Sequence, residues 1–160
     1  MSVSDTPLSE ELLGNIRACA REAAGLLGIL LTTPGAEIVK AVDSFVHRWQ
    51  KGDRPKVDEG NDLALTLGSL WGEQLVRDLG WQWAFATFSD GGMKMVGIFS
   101  ADRSLAIYPF QFAHGCIQTG VPVTILLAYN MLKDGFGIPK LPPQGYVNLM
   151  DGVRHIVPRD

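Results

Sequence analysis

The sequence has little of what usually gives a function away. Its two cysteines, Cys19 and Cys116, lie far apart and make no disulfide framework. A reducing compartment is the simplest setting for them. Long apolar runs are missing too: the longest, Ala23 to Leu31, is far short of the roughly 20 residues that span a bilayer. Asp5, Glu10 and Glu11 stand where a secretory signal would be basic, so a cytoplasmic location without a membrane is expected. Charge is sparse, with 19% charged residues and a formal net charge of −3. That balance argues against a nucleic-acid binder, which needs a basic face.

Local catalytic signatures are lacking as well. Gly91-Gly92-Met93-Lys94 is no phosphate loop, because the Gly-Lys-Ser/Thr step into a helix is absent. Ser69, Ser89 and Ser100 have no nucleophile-elbow context. His114-Gly115-Cys116 is the most suggestive cluster, but residues two apart on a helix do not face each other. A zinc site from His114, Cys116 and His155 lacks paired spacing and a fourth ligand. Glu73, Asp90 and Asp102 have no spacing that sets two carboxylates together, and caps and turns are their ordinary roles. No catalytic residue, cofactor or metal is therefore expected.

What is present is a foldable chain of 160 residues with a 46% hydrophobic fraction, enough for a real core. Its centre is the stretch from Asn61 to Phe112. Asn61 and Asp62 can cap a helix start. Leu63, Leu67, Trp71, Leu75 and Leu79 then recur every fourth residue, an amphipathic stripe that leaves Thr66, Ser69 and Glu73 mostly outside it. Gly80 suits the helix end. Gly68 and Gly72 weaken this helix by about 1 kcal/mol each, which predicts close approach of another backbone.

The period then changes to two. Trp81, Trp83, Phe85 and Thr87 share one face of a strand, while Gln82, Ala84, Ala86 and Phe88 share the other. Asp90-Gly91-Gly92 predicts a hairpin turn into a strand from Met93 to Ser100. A second turn at 101–104 leads to a third strand, Leu105 to Tyr108, which Pro109 ends.

The flanks read as cover. Residues Met1 to Pro7 are expected to fray. Ser9 opens a helix lined by Leu12, Ile16, Ala20, Ala23, Leu27 and Leu30. After Pro34, Ile38, Val42, Phe45 and Trp49 line a second, and together they predict an αα-hairpin. The polar stretch from Gln50 to Gly60 reads as a loop. Beyond the meander, a short helix over Phe110 to Thr119 precedes another from Val123 to Lys133, with Leu126, Leu127 and Met131 as core. Pro139, Pro142 and Pro143 force an extended path, and Tyr146 to Val157 could add a strand interrupted at Asp151-Gly152. The expected fold is a single α+β domain over 1–160. It comprises an N-terminal helical hairpin in 1–50 and, in 61–160, a central amphipathic helix with an antiparallel sheet of three to five strands.

The run Leu65 to Trp83 joins a glycine-containing helix to Leu79-Gly80 and an aromatic strand, and the meander ends in Tyr108-Pro109-Phe110. This arrangement resembles a family of uncharacterised bacterial domains built from a helix and an antiparallel meander. Some small bacterial domains of this build are similar to immunity or accessory proteins that bind a cognate toxin. The resemblance implies a non-catalytic protein-binding domain, an immunity-type inhibitor among the options, whose partner is another protein. The alternative is a small enzyme or ligand-binding domain with a pocket between the central helix and the C-terminal segment. The expected partner surface comprises the meander's turns and the proline-rich tail, with Trp81, Trp83, Asp90, Arg103, Lys140 and Tyr146 as its residues; the tryptophans read first as core packed on the central helix, and otherwise as part of this surface.

Overall fold

The structure is a computed structural model that describes residues 2–58, 60–89, 91–135 and 137–153. At its centre lies the helix α3, Leu63–Leu79, in a chain whose helices and strands run β1 (Val3–Pro7), α1 (Glu10–Leu27), α2 (Gly35–Gln50), α3, β2 (Gln82–Phe88), β3 (Lys94–Phe99), β4 (Leu105–Ile107), α4 (Pro109–Thr119), α5 (Ile125–Asp134), β5 (Val147–Asn148) and α6 (Leu149–Val153). The class is α+β, as expected.

The caps of α3 fall where its sequence puts them. Asp62 accepts from the Leu65 amide at 3.2 Å, and Gly80 closes the helix at φ 70°. Leu63, Leu67, Trp71 and Leu75 are buried along one stripe. Thr66 and Ser69 are buried too, against expectation, with Leu70 and Gln74. The reason is tertiary: α1, α2 and α4 all pack on α3, so the helix has almost no solvent face. The glycines of α3 permit the closest contacts. A methyl at Gly68 would lie 3.2 Å from the Pro109 carbonyl and 2.8 Å from Phe110. Gly68 thus meets a backbone as expected, whereas Gly72 meets the ring of Trp83.

Strand order in the sheet is β1-β2-β3-β4-β5. The first four strands are antiparallel and β5 joins β4 in parallel, so the sheet is mixed. Two expectations are corrected here. Val3–Pro7, expected to fray, is an edge strand paired to β2 from Val3 opposite Phe88 to Pro7 opposite Ala84. Its polar alternation carries no apolar signal, and its pairing comes from a partner some 80 residues away in sequence. The strand expected over Tyr146 to Val157 is only Val147–Asn148, and Asp151 and Gly152 sit in α6; residues 154–157, His155 among them, lie outside the described residues.

Both faces of the sheet are apolar. Helices cover Trp83, Phe85, Val96, Ile98, Leu105 and Ile107 on the inner face. A second, smaller core forms outside, from Ala84, Ala86, Phe99, Ala106, Tyr108 and Tyr146. Small residues make its floor, which leaves room for aromatic rings: a methyl at Gly97 would come within 2.9 Å of Phe99 and Tyr108. Tyr146 meets Phe99 edge to face at 5.6 Å. The aromatic density of the meander is thereby shared between two faces.

Among the helices, α1 and α2 pack on α3 more than on each other, so the expected hairpin is a pair of neighbours joined through α3. Ser9 caps α1 by accepting from the Leu12 amide at 3.2 Å. Leu30 lies past the end of α1 and is 73% exposed, while on α5 Ala128 and Tyr129 take the core places expected of Leu127. Asp43 of α2 accepts from the Leu126 amide at 2.9 Å and so caps α5 across the fold.

Candidate functional site

Three segments distant in sequence are tied together at one end of the sheet. Asp5 of β1 receives Arg103, from the β3–β4 turn, through Nε at 3.0 Å and Nη2 at 3.1 Å. This is the bidentate fork that planar guanidinium favours. Nη2 also reaches Gln82 Oε1 at 2.9 Å, and Nη1 reaches the Ser100 carbonyl at 3.0 Å. The Tyr146 hydroxyl crosses the outer face of the sheet to donate to Asp5 Oδ1. Behind them the backbone is stitched by Tyr146 N to Arg103 O at 2.8 Å and Gln144 N to Asp102 O at 3.0 Å. Arg103, Gln144 and Tyr146 adopt φ of 61°, 61° and 49°, the positive-φ non-glycine residues among those described. Backbone strain of this kind, concentrated at one place, marks a region that the surrounding contacts over-determine.

The electrostatics follow from burial and pairing. Burial works to raise the Asp5 carboxyl, but hydrogen bonds from Arg103 and Tyr146 and the Arg103 charge outweigh it and hold it below the ordinary range. Burial, reinforced by the bond to Asp5, pushes the Tyr146 phenol up to about 12, so it remains a donor at neutral pH. The cluster is thus a fixed, neutralised clasp between N-terminal strand, meander and C-terminal segment.

Beside the clasp runs a groove between α1 and α3. Its sheet end is a hollow of about 330 Å³ walled by Trp81, Trp83, Leu8 and Leu13, with Asp5, Arg17, Glu73 and Arg103 at its edges. A second hollow of about 310 Å³ continues it past Ala20, Arg21, Leu31, Gln74 and Arg77. The two share Arg17, Glu73 and Val76, so they form one continuous depression. Its walls are rigid. Trp83 stacks on Phe110 with centroids 5.6 Å apart and donates through Nε1 to Glu73 Oε2 at 3.1 Å. Arg77 donates to the carbonyls of Leu31 and Thr33 at 2.8 and 2.7 Å, which pins the α1–α2 connection to α3.

The residues singled out from the sequence fall as follows. Trp81, Trp83 and Arg103 are brought together in this groove, and Tyr146 supports it through Asp5. Both tryptophans are buried, at 6% and 7% exposure, so each is a core residue that offers only an edge to the groove. Tyr146 is buried likewise. Lys140 is exposed on the proline-rich segment and lines neither hollow, and Asp90 lies outside the described residues. Sequence reasoning missed Asp5, Arg17 and Val76 as site residues. Arg17 and Val76 left a trace, a charge on the α1 surface and a valine off the α3 stripe; Asp5 left none.

The other chemical candidates stay apart. Cys116 is buried, and burial with the Asp43 charge nearby pushes its thiol up to about 12, the opposite of an activated nucleophile. His114 is exposed on α4. Asp102 serves its turn by accepting from the Ser104 amide at 2.9 Å. Among the described residues, no three His, Cys, Asp or Glu side chains cluster closely enough to hold a metal ion, and no helix is long and apolar enough to cross a membrane. A further hollow of about 300 Å³ beside the C-terminal segment is lined by Met95, Tyr108, Phe112 and Met150 among others, and by no residue of α3. The chain matches no protein-family model, no curated protein and no solved structure at a significant level.

Proposed function

We propose that the chain is a non-catalytic protein-binding domain that seats its partner in the α1–α3 groove. The observation that carries this reading is the convergence of exposed apolar and charged groups on one rigid depression. Val76 and Leu31, at 36% and 42% exposure, lie in it between Arg17, Arg21 and Glu73. Apolar anchors in a shallow pocket with an arginine-bearing polar rim are what stable protein contacts use. The clasp at Asp5, Arg103 and Tyr146 supports the reading from behind, since a wall that does not rearrange loses little entropy on docking. A cognate toxin, bound by this chain as an immunity-type inhibitor, is the form of partner that the resemblance to bacterial helix-plus-meander domains favours.

The test compares two matched charge insertions. Val76→Glu places a carboxylate in the groove. Leu127→Glu places one on α5 at nearly the same exposure, 37% against 36%, and Leu127 lines neither hollow. Affinity capture from the source cells should lose the specific partner with Val76→Glu and keep it with Leu127→Glu. Equal recovery by both variants would place the contact elsewhere.

A further inference from the structure

Resting on that reading, we infer that the groove accepts an extended acidic segment of its partner, with carboxylates at alternate positions. Arg17 and Arg21 stand four residues apart on α1, on one helix face and about 6 Å apart along the axis. In an extended chain, residues i and i+2 share a face about 6.7 Å apart. An acid-x-acid segment therefore brings one carboxylate to each guanidinium. Both arginines are exposed, and neither joins an ion pair among the described residues. Arg77 and Arg103 differ, being engaged by Asp78 with two carbonyls and by Asp5 respectively.

Charge distribution points the same way. The four arginines of the groove against Asp5, Glu73 and the Asp78 paired with Arg77 give it a formal +1, while the whole chain carries −3, so the rest of the chain sums to −4. An acidic segment is drawn to this groove and repelled by the rest of the molecule.

One acceptor at the groove favours a peptide over other polyanions. Glu73 uses one carboxylate oxygen for the Trp83 indole and has the other left over. A peptide backbone supplies an N–H donor to it. A polyphosphate or nucleic-acid backbone has none, and would meet the Glu73 charge directly.

The experiment is a display selection of random seven-residue peptides on the wild type. Binding of each enriched peptide is then measured on Arg17→Glu/Arg21→Glu and on Val76→Glu. The paired arginine sites are exposed helix positions, and circular dichroism confirms that the double variant is folded. The expected result is enrichment of peptides with Asp or Glu two residues apart and no proline between. Their affinity should fall at least tenfold in the double variant and weaken with salt. Enriched peptides that are basic or purely apolar, yet lost in Val76→Glu, would overturn the acidic inference and leave the groove as the docking surface. Peptides insensitive to both variants, or no enrichment at all, would remove the groove reading with it.

Discussion

Gly68→Ala tests the packing on which the groove's wall depends. In an open helix the change is favourable by about 1 kcal/mol, because glycine carries excess backbone freedom in the unfolded chain. Here the new methyl would sit 2.8 Å from Phe110 Cδ1 and 3.2 Å from both the carbon and the oxygen of the Pro109 carbonyl. Carbon atoms prefer about 3.5–4.0 Å, so side chain and backbone must both yield. Phe110 cannot swing freely, since it stacks on Trp83 at an interplanar angle of 9°. Overpacking of this kind costs about 1–3 kcal/mol, so the net effect is a loss of about 1 kcal/mol. The internal control is Gly14→Ala on α1, where nothing lies within 4 Å of the new methyl, and a gain of about 1 kcal/mol is expected. The two variants should therefore differ by about 2 kcal/mol, which is about 4–8 °C in Tm for a chain of this size. Thermal denaturation followed by circular dichroism reads both. Gly68→Ala melting at or above Gly14→Ala would refute the reasoning, because no clash would then oppose the helix propensity.

The clasp and the thiols give further expectations. Tyr146→Phe removes one hydrogen bond to a charged acceptor and should cost about 2 kcal/mol, with amide exchange in β1 accelerating ahead of α3. Asp5 has a folded pKa below its ordinary 3.8, so its contribution is present above that pH and lost as the pH falls through the folded value. The stability gap between wild type and Asp5→Asn should accordingly be flat from about pH 7 to pH 5 and close below the ordinary carboxylate range, as read by denaturation at each pH. Cys116, buried with its thiol pushed up to about 12, should react with a maleimide only at the rate of unfolding, after Cys19; rapid labelling in native buffer would contradict its buried place.

Much of the core was legible because its signals are local. Asp62 and Gly80 bound α3 through capping chemistry that needs no tertiary partner. Gly91 and Gly92, both at positive φ, likewise mark the β2–β3 turn. What escaped depends on contacts between distant segments. Val3–Pro7 is a strand only because β2 offers it an edge. Thr66 and Ser69 are buried because α1, α2 and α4 close on α3, which overrides a pattern that fits a half-exposed helix. The same division holds at the site. Trp81, Trp83, Arg103 and Tyr146 stand out as residue types, so they could be singled out one by one. Asp5 becomes meaningful only when Arg103, 98 residues away, folds back onto it. Arg17 looks like any solvated charge on a helix until the Arg17–Glu73–Val76 wall is assembled.

The central claim is that the α1–α3 groove is where this protein meets its partner. The most direct measurement places a photo-crosslinking amino acid at Val76 in one variant and at Leu127 in another, and irradiates both in the source cells. These positions are matched in exposure and lie on different elements, α3 and α5. The account predicts one discrete adduct from Val76 and none from Leu127. An equal yield from the two positions, or an adduct from Leu127 alone, would contradict it.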